Sequence, residues 1–408
     1  MDLEQRLVDN FIRYVKTPSQ SDASVKTVPS TQGQMDMALI LKKELEDLGF
    51  ENIVLDEHAI LTAVLKGNCE GDTIGFVSHL DTVDVSLSPE VKPQILKFTG
   101  EDVLLNKDLD IKISVAQHPE LNHYKDMDII FTDGTSVLGA DNKAAMANIM
   151  TAFEYIIKNN LPHGDLHVAF VPDEETGLKG SKLLTRERFN VDYAYTIDSC
   201  RLGEIVYETF NAGAASLKIK GVSAHPMSAK GVLVNPLLVA HDFMNMFDRE
   251  QTPEFTDKKD GYWWFVGCKS DPLYCTLDMH IRDFDKDNYK RRKDYIKECV
   301  QTLKLMHPKA QIELEMEDIY ANIANNVSKD DKPVAMLYEA ADDLGIKPIT
   351  IAMRGGTDGS ALSPTGIVTP NYFTGAHNFH SYCEFLPIPS FVKSLKMTLR
   401  LIEKACGR

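Results

Sequence analysis

The stretch Asp165–Gly177, DLHVAFVPDEETG, constrains this chain more than any other. Leu166, Val168, Ala169, Phe170 and Val171 form a short apolar run with the length and β-branched content of a buried strand. Pro172 ends it, because proline has no N–H to give a sheet ladder. Asp173, Glu174 and Glu175 then stand side by side, closed by Gly177. Three adjacent carboxylates repel one another, so at the mouth of a sheet they call for positive charge, which a bound metal supplies. Neighbouring side chains in extended backbone point different ways, so one glutamate can bind a metal while the other faces water. Taken alone, the run reads first as a solvated acidic turn.

A chain of 408 residues, 43% hydrophobic and 25% charged, is long enough for two domains and a large core. Its net charge of −16 argues against nucleic acid and anionic membranes as partners, and suits metal cations. The N-terminal MDLEQRLVDNFIRYVK has no basic region followed by an apolar core, and no apolar run approaches a membrane span. A cytoplasmic protein is expected. Cys69, Cys200, Cys268, Cys275, Cys299, Cys383 and Cys406 form no CxxC pair, so reduced thiols are expected.

Helical spacing of Leu3, Leu7, Val8, Phe11, Ile12 and Val15 predicts a first helix, stopped at Thr17-Pro18. A second amphipathic helix is expected over 31–48, then strands near 53–55, 60–65 and 73–78. The last runs into His79-Leu80-Asp81, where Asp81 can hold the His79 ring by a hydrogen bond. Residues 82–132 read as an inserted β-hairpin region with strands at 94–98 and 111–115, and His118 and His123 as surface histidines. A glycine-rich turn then leads to Asp141 at the start of a helix over 142–158; aspartate there is most often an N-cap. The strand 192–197 ends in Asp198. His79, Asp141, Glu174, Glu175 and Asp198 thus each follow a predicted strand or open the helix after one, points that converge at the carboxyl edge of an α/β sheet. From Glu204 the texture changes to a β-α-β-β-α-β pattern, a ferredoxin-like α+β insertion over 207–320 that splits an α/β domain into 1–206 and 321–408. His225 lies in a turn of that insertion. Arg354, followed by two glycines, is a candidate clamp for a carboxylate, and Arg282 a weaker one that pairing with Asp283 or Asp285 would explain equally. His241 and His280 read as structural, and Cys200 as buried and inert. There is no HExxH, GxSxG or P-loop.

HLDT (79–82), GADNKA (139–144), DEETG (173–177), Asp198, AHP (224–226), RGGTDGS (354–360) and HNFH (377–380) follow one another as they do in the dizinc aminoacylase/carboxypeptidase metallopeptidases. The chain resembles that family over nearly its whole length, and its long insertion with FTDGTSVLGADNKA looks most like the tripeptide aminopeptidase branch, peptidase T. It departs from that branch at Asn142 and Ala145, where GADDKAG is usual, and at Ser381-Tyr382, where glycine is common.

The resemblance implies a dizinc exopeptidase fold with an inserted lid or dimerisation domain, and a homodimer. It implies Asp141 bridging two metals, His79 and Asp198 completing one site, Glu175 and His380 the other, and Glu174 as general base. Asp81 would orient His79, and His225 would stabilise the oxyanion. His377 is an alternative to His380 that the motif position disfavours. Imidazole with carboxylate suits zinc, with cobalt or manganese as substitutes. The expected activity is release of the N-terminal residue of tripeptides. A related dipeptidase or N-acyl amino acid deacylase shares the metal chemistry, and a binding protein or dimeric scaffold without catalysis is the reading from another class.

Overall fold

The computed structural model describes residues 2–407 and divides the chain into two compact units. The first takes in the chain up to Tyr207, then Asn326–Ile351 and the residues from Thr357 onward; the second is Glu208–Asn325 with Ala352–Gly356.

The first unit is built on an eight-stranded mixed sheet. Its order is Glu51–Leu55, Leu61–Leu65, Leu166–Val171, Ile74–His79, Tyr193–Ser199, Asn371–Phe373, Glu204–Thr209, Ile349–Met353. Leu166–Val171 and Tyr193–Ser199 flank Ile74–His79 in parallel, and Asn371–Phe373 continues the parallel run. Parallel strands are covered on both faces, which is why these segments read as unbroken apolar runs. Every residue of Ile74–His79 is buried. Ile74 and Phe76 enter the core beneath the helices Leu3–Val15, Gln32–Asp47, Ala140–Asn159, Lys332–Asp343 and Ile388–Ala405. Val77, pointing the other way, joins Ala169, Val171, Phe189 and Leu362 in a second core.

The first helix shows how the pattern becomes packing. The Asp2 side chain accepts the Gln5 N–H at 3.3 Å as an N-cap, and Leu7, Phe11 and Tyr14 turn one face inward. Phe11 meets Phe391 edge-on at 5.6 Å, and burial of each such side chain contributes roughly 1.5–3 kcal/mol.

Between Ile74–His79 and Ala140–Asn159, the strands Gln94–Lys97 and Asp128–Phe131 form a three-stranded sheet with Phe385–Pro387 from the far end of the chain. A hairpin of Val103–Asn106 and Ile111–Ile113 packs beside it over Phe98, Leu121 and Phe131. Val103–Asn106 and Phe385–Pro387 lie outside the strands expected from the sequence.

The second unit runs strand Asn211–Lys220, helix Pro236–Met244, strands Tyr262–Ser270 and Tyr274–Asp283, helix Lys286–Met306, strand Gln311–Tyr320. Its sheet is wholly antiparallel, ordered Tyr262–Ser270, Tyr274–Asp283, Asn211–Lys220, Gln311–Tyr320, which is the ferredoxin-like arrangement. Leu217, Ile219, Leu277 and Met279 face Val239, Phe243, Ile296 and Leu303 of the two helices. Glu204–Thr209 belongs to the main sheet instead, antiparallel to Asn371–Phe373. Ile205 and Val206 at its centre are buried there. Among the described residues no helix is long and apolar enough to cross a membrane.

Candidate metal centre

Three adjacent parallel strands bring their carboxyl ends together. His79 ends the central strand, Asp198 lies near the end of one neighbour, and Glu174 and Glu175 follow the other. Asp141 sits at the kinked start of Ala140–Asn159 after Gly139, whose φ of 75° suits glycine; its own φ and ψ of −84° and 100° are not helical. Its carboxylate turns to two histidines instead of capping the helix. Asp141 Oδ1 is 2.9 Å from His79 Nε2, and Oδ2 is 3.0 Å from His380 Nε2. His380 Nε2 is also 2.9 Å from Glu175 Oε1, and His79 Nε2 is 3.8 Å from Asp198 Oδ1.

Behind these groups stands a set of supports. His79 Nδ1 donates to the Asp81 carbonyl at 3.0 Å, with the Asp81 carboxylate 3.3 Å away. A carbonyl only accepts, so in the neutral ring Nδ1 carries the hydrogen and Nε2 keeps its lone pair for a metal. The Asp81 carboxylate accepts the backbone N–H groups of Glu174 at 3.0 Å and Glu175 at 3.2 Å. It therefore places the two glutamates as well as the ring. Asp173 faces away from the centre. It accepts the Ser30 N–H and the Gln34 amide, each at 2.8 Å, and the Ser30 hydroxyl. Of the three adjacent carboxylates, two remain for chemistry. The loop turns back tightly, since a Cβ on Gly180 would lie 2.4 Å from the Pro172 carbonyl oxygen.

Glu384, which the sequence reading missed, is buried and accepts four N–H groups. Its oxygens lie 2.8 Å from Leu138, 2.9 Å from Gly139, 2.8 Å from Ala140 and 3.3 Å from Asp141. It holds the turn that aims Asp141, at the helix end where negative charge is favoured. Burial pushes its carboxyl up to about 8 against the pull of those donors. Asp358 is also buried, its Oδ1 has no hydrogen-bond partner, and burial pushes it up to about 7.

The cluster is short of positive charge. Burial, then the nearby Asp141 charge, pushes Glu175 up to about 7 and Asp198 to about 6, and burial raises Glu174 well above the usual range. Burial also opposes the Asp141 charge, but hydrogen bonds from His380 and His79 outweigh it and hold that carboxyl below the usual range. Burial would lower His380, but its hydrogen bond to Asp141 and its close contact with the Glu175 carboxylate raise it to about 11. Cations would relieve this crowding. Donor atoms of His79, Asp141 and Glu175 lie within 4.8 Å of one another, and buried Glu175 Oε1 takes no hydrogen bond despite its contact with His380. Imidazole nitrogen with carboxylate oxygen is a donor set for zinc and its neighbours, so the residues fit such ions.

Other expected residues lie elsewhere. His377 takes a 2.7 Å hydrogen bond with the Tyr124 hydroxyl and stacks on Phe385, away from the cluster that His380 joins. Burial raises the Cys200 thiol, as an inert cysteine requires. His225, in the second unit, is exposed, and its Nδ1 accepts the Met227 N–H at 3.1 Å. Arg282 pairs with neither Asp283 nor Asp285; it donates to the Gly213 and Ile281 carbonyls, both at 2.9 Å. Arg354 belongs to the second unit too, where it donates to the Lys258 and Asp260 carbonyls and the Thr256 hydroxyl, over the rings of Phe210 and Tyr262. The space beside Gly356 is taken by Tyr320, whose ring a Cβ would meet at 2.7 Å.

Residues 139–404, which hold all of the cluster except His79, match the model of peptidase family M20/M25/M40. The chain belongs to this family. The peptidase is 51% identical to a peptidase T-like protein of Yersinia pestis over 97% of both chains. It is 39% identical to peptidase T of Bacillus subtilis over 98% of this chain and 99% of the other. Among solved structures it is similar to aminopeptidase PepT from Bacillus cereus, with a TM-score of 0.78, 23% identity and 98% of each chain covered. It is also similar to a dinuclear metal binding peptidase of Bacillus subtilis, with a TM-score of 0.65 and 13% identity over 98% of this chain and 97% of the other. These two are likenesses of fold. The peptidase is thus a hydrolase with the mixed α/β architecture of its family.

Proposed function

We propose that this peptidase is a metal-dependent aminopeptidase that removes the N-terminal residue of tripeptides, using two zinc ions for which cobalt or manganese can substitute. One observation carries the two-ion reading: the two oxygens of Asp141 each face a different histidine, at 2.9 and 3.0 Å. His79 and Asp198 would hold one ion beside Oδ1, and Glu175 and His380 the other beside Oδ2. Bound there, the ions would polarise the scissile carbonyl and lower the pKa of the attacking water towards neutrality.

Glu174 is the general base in this reading. Its backbone is pinned by Asp81, and its carboxylate is left to take a proton from water and return it to the leaving amine. The tripeptide preference is supported by the peptidase T relatives and by the fold shared with a tripeptidase of Staphylococcus aureus, at a TM-score of 0.78. The insertion at 82–132 would limit substrate length, and Arg282 and Arg354 would meet the far carboxylate.

Kinetics on Ala-Ala-Ala, its C-terminal amide, Ala-Ala, Ala-Ala-Ala-Ala and N-acetyl-Ala-Ala-Ala test this. The free tripeptide wins clearly, and the N-acetyl form is inert. Amidation lowers kcat as well as raising KM, because remote binding energy orients the first peptide bond. Efficient deacetylation of the blocked peptide, or equal rates on dipeptides, would move the protein to the deacylase or dipeptidase reading.

The reading extends to a homodimer in which the second unit is a lid and His225 serves the partner's site as an oxyanion donor. Inactive His225→Ala chains mixed with inactive Glu174→Gln chains then regain activity. Verified heterodimers that stay silent would remove His225 from this role.

A further inference from the structure

Cys69 and Cys406 are 337 positions apart in the chain, yet their sulfurs lie 3.0 Å from each other. Both residues are half-buried, within reach of a small reagent. The backbone around them is held from several sides. The N–H groups of Asn68 and Cys69 reach the His163 carbonyl at 2.9 and 3.3 Å, and the Asp72 N–H reaches the Ala405 carbonyl at 2.9 Å. The approach needs Gly71, where a Cβ would lie 2.8 Å from the Ala405 oxygen and 3.1 Å from the Cys406 sulfur. A disulfide has sulfurs about 2.05 Å apart, so a shift of roughly 1 Å closes the bond. The other close pair, Cys268 and Cys275, stands at 3.8 Å in the second unit, and Cys299 and Cys383 are buried.

We propose that Cys69 and Cys406 form a thiol–disulfide exchange site that takes small-molecule disulfides such as oxidised glutathione. One protein thiolate attacks the reagent's S–S bond, forms a mixed disulfide and releases the first small thiolate. The second protein thiolate attacks the protein sulfur of that mixed disulfide and releases the other. The two protein thiols are oxidised, the reagent is reduced to two thiols, and those thiols carry off the two protons. The new bond ties the loop before Ile74–His79 to the end of helix Ile388–Ala405 and encloses every candidate metal ligand in one covalent loop. It restricts the unfolded chain without touching the metal cluster, so its effect is on stability and not on turnover.

The test incubates the full-length, zinc-loaded protein with oxidised glutathione, followed by alkylation and peptide mapping. The expected result is a joined Cys69–Cys406 peptide without retained glutathione, a Tm raised by about 4 °C or more, unchanged peptidase activity, and reversal by dithiothreitol. Cys69→Ser should fold, form no joined peptide and show no shift. The proposal is overturned by glutathione that stays attached, by a disulfide at Cys268–Cys275 alone, by no joined peptide, or by a joined peptide with Tm unchanged or lowered.

Discussion

Replacing Glu174 with glutamine lowers kcat by about 10²–10⁴-fold while the metal content stays at the wild-type level. The side chain keeps its size and its place, because the groups that fix it are backbone ones: the Glu174 N–H goes to Asp81 and the neighbouring Glu175 N–H to the same carboxylate. What is lost is the ability to accept a proton. His380 and His79 do not replace it, since both nitrogens that face the cluster are turned to Asp141. Elemental analysis beside steady-state kinetics checks the result. Loss of metal with the activity would mean that Glu174 is a ligand and that Glu175 has the proton-transfer role.

Glu384→Ala should damage both the fold and the centre. It strands up to four buried N–H groups, at Leu138, Gly139, Ala140 and Asp141. A buried donor left without a partner costs about 1–3 kcal/mol, so even with water entering the gap the loss is on the order of 3–5 kcal/mol. With roughly 2.1 cal/mol/K of unfolding entropy per residue, a chain of this length shifts by about 1 °C per kcal/mol, so Tm falls by on the order of 5 °C. Metal binding at the proposed centre should weaken with it, because the same turn aims Asp141. Glu384→Gln keeps one acceptor oxygen but points an amide at two of the donors and removes the charge at the helix start, so it should fall between wild type and alanine. Thermal unfolding of the metal-free protein and zinc titration against a chelator measure the two effects. A glutamine variant equal to wild type in both would show that the carboxylate charge holds nothing in place.

The parallel strands were readable because burial on both faces leaves continuous apolar runs, and a residue just past such a run has to emerge at the sheet's carboxyl edge. That logic located His79, the two glutamates and Asp198 near one another. It could not give the direction of Asp173, which is decided by Ser30 and Gln34, 143 and 139 positions earlier. Nor could it single out Glu384, whose partners stand 243 to 246 positions away and leave no local spacing to detect. Arg354 is another case of distant partners: its guanidinium donates to the Asp260 carbonyl and the Thr256 hydroxyl, and Tyr320 fills the space at Gly356, none of which the two glycines beside it reveal.

The dependence of Asp141 on Glu384 sets an order of events during synthesis. Asp141 leaves the ribosome long before His380, and the strand Phe385–Pro387 that closes the small sheet comes later still. Until then Asp128–Phe131 has an uncovered edge, and the turn before Ala140–Asn159 has four amides without their acceptor. Such an edge invites pairing with other chains. A nascent chain stalled before residue 380 would lack both His380 and the acceptor that aims Asp141, and would be a sticky one.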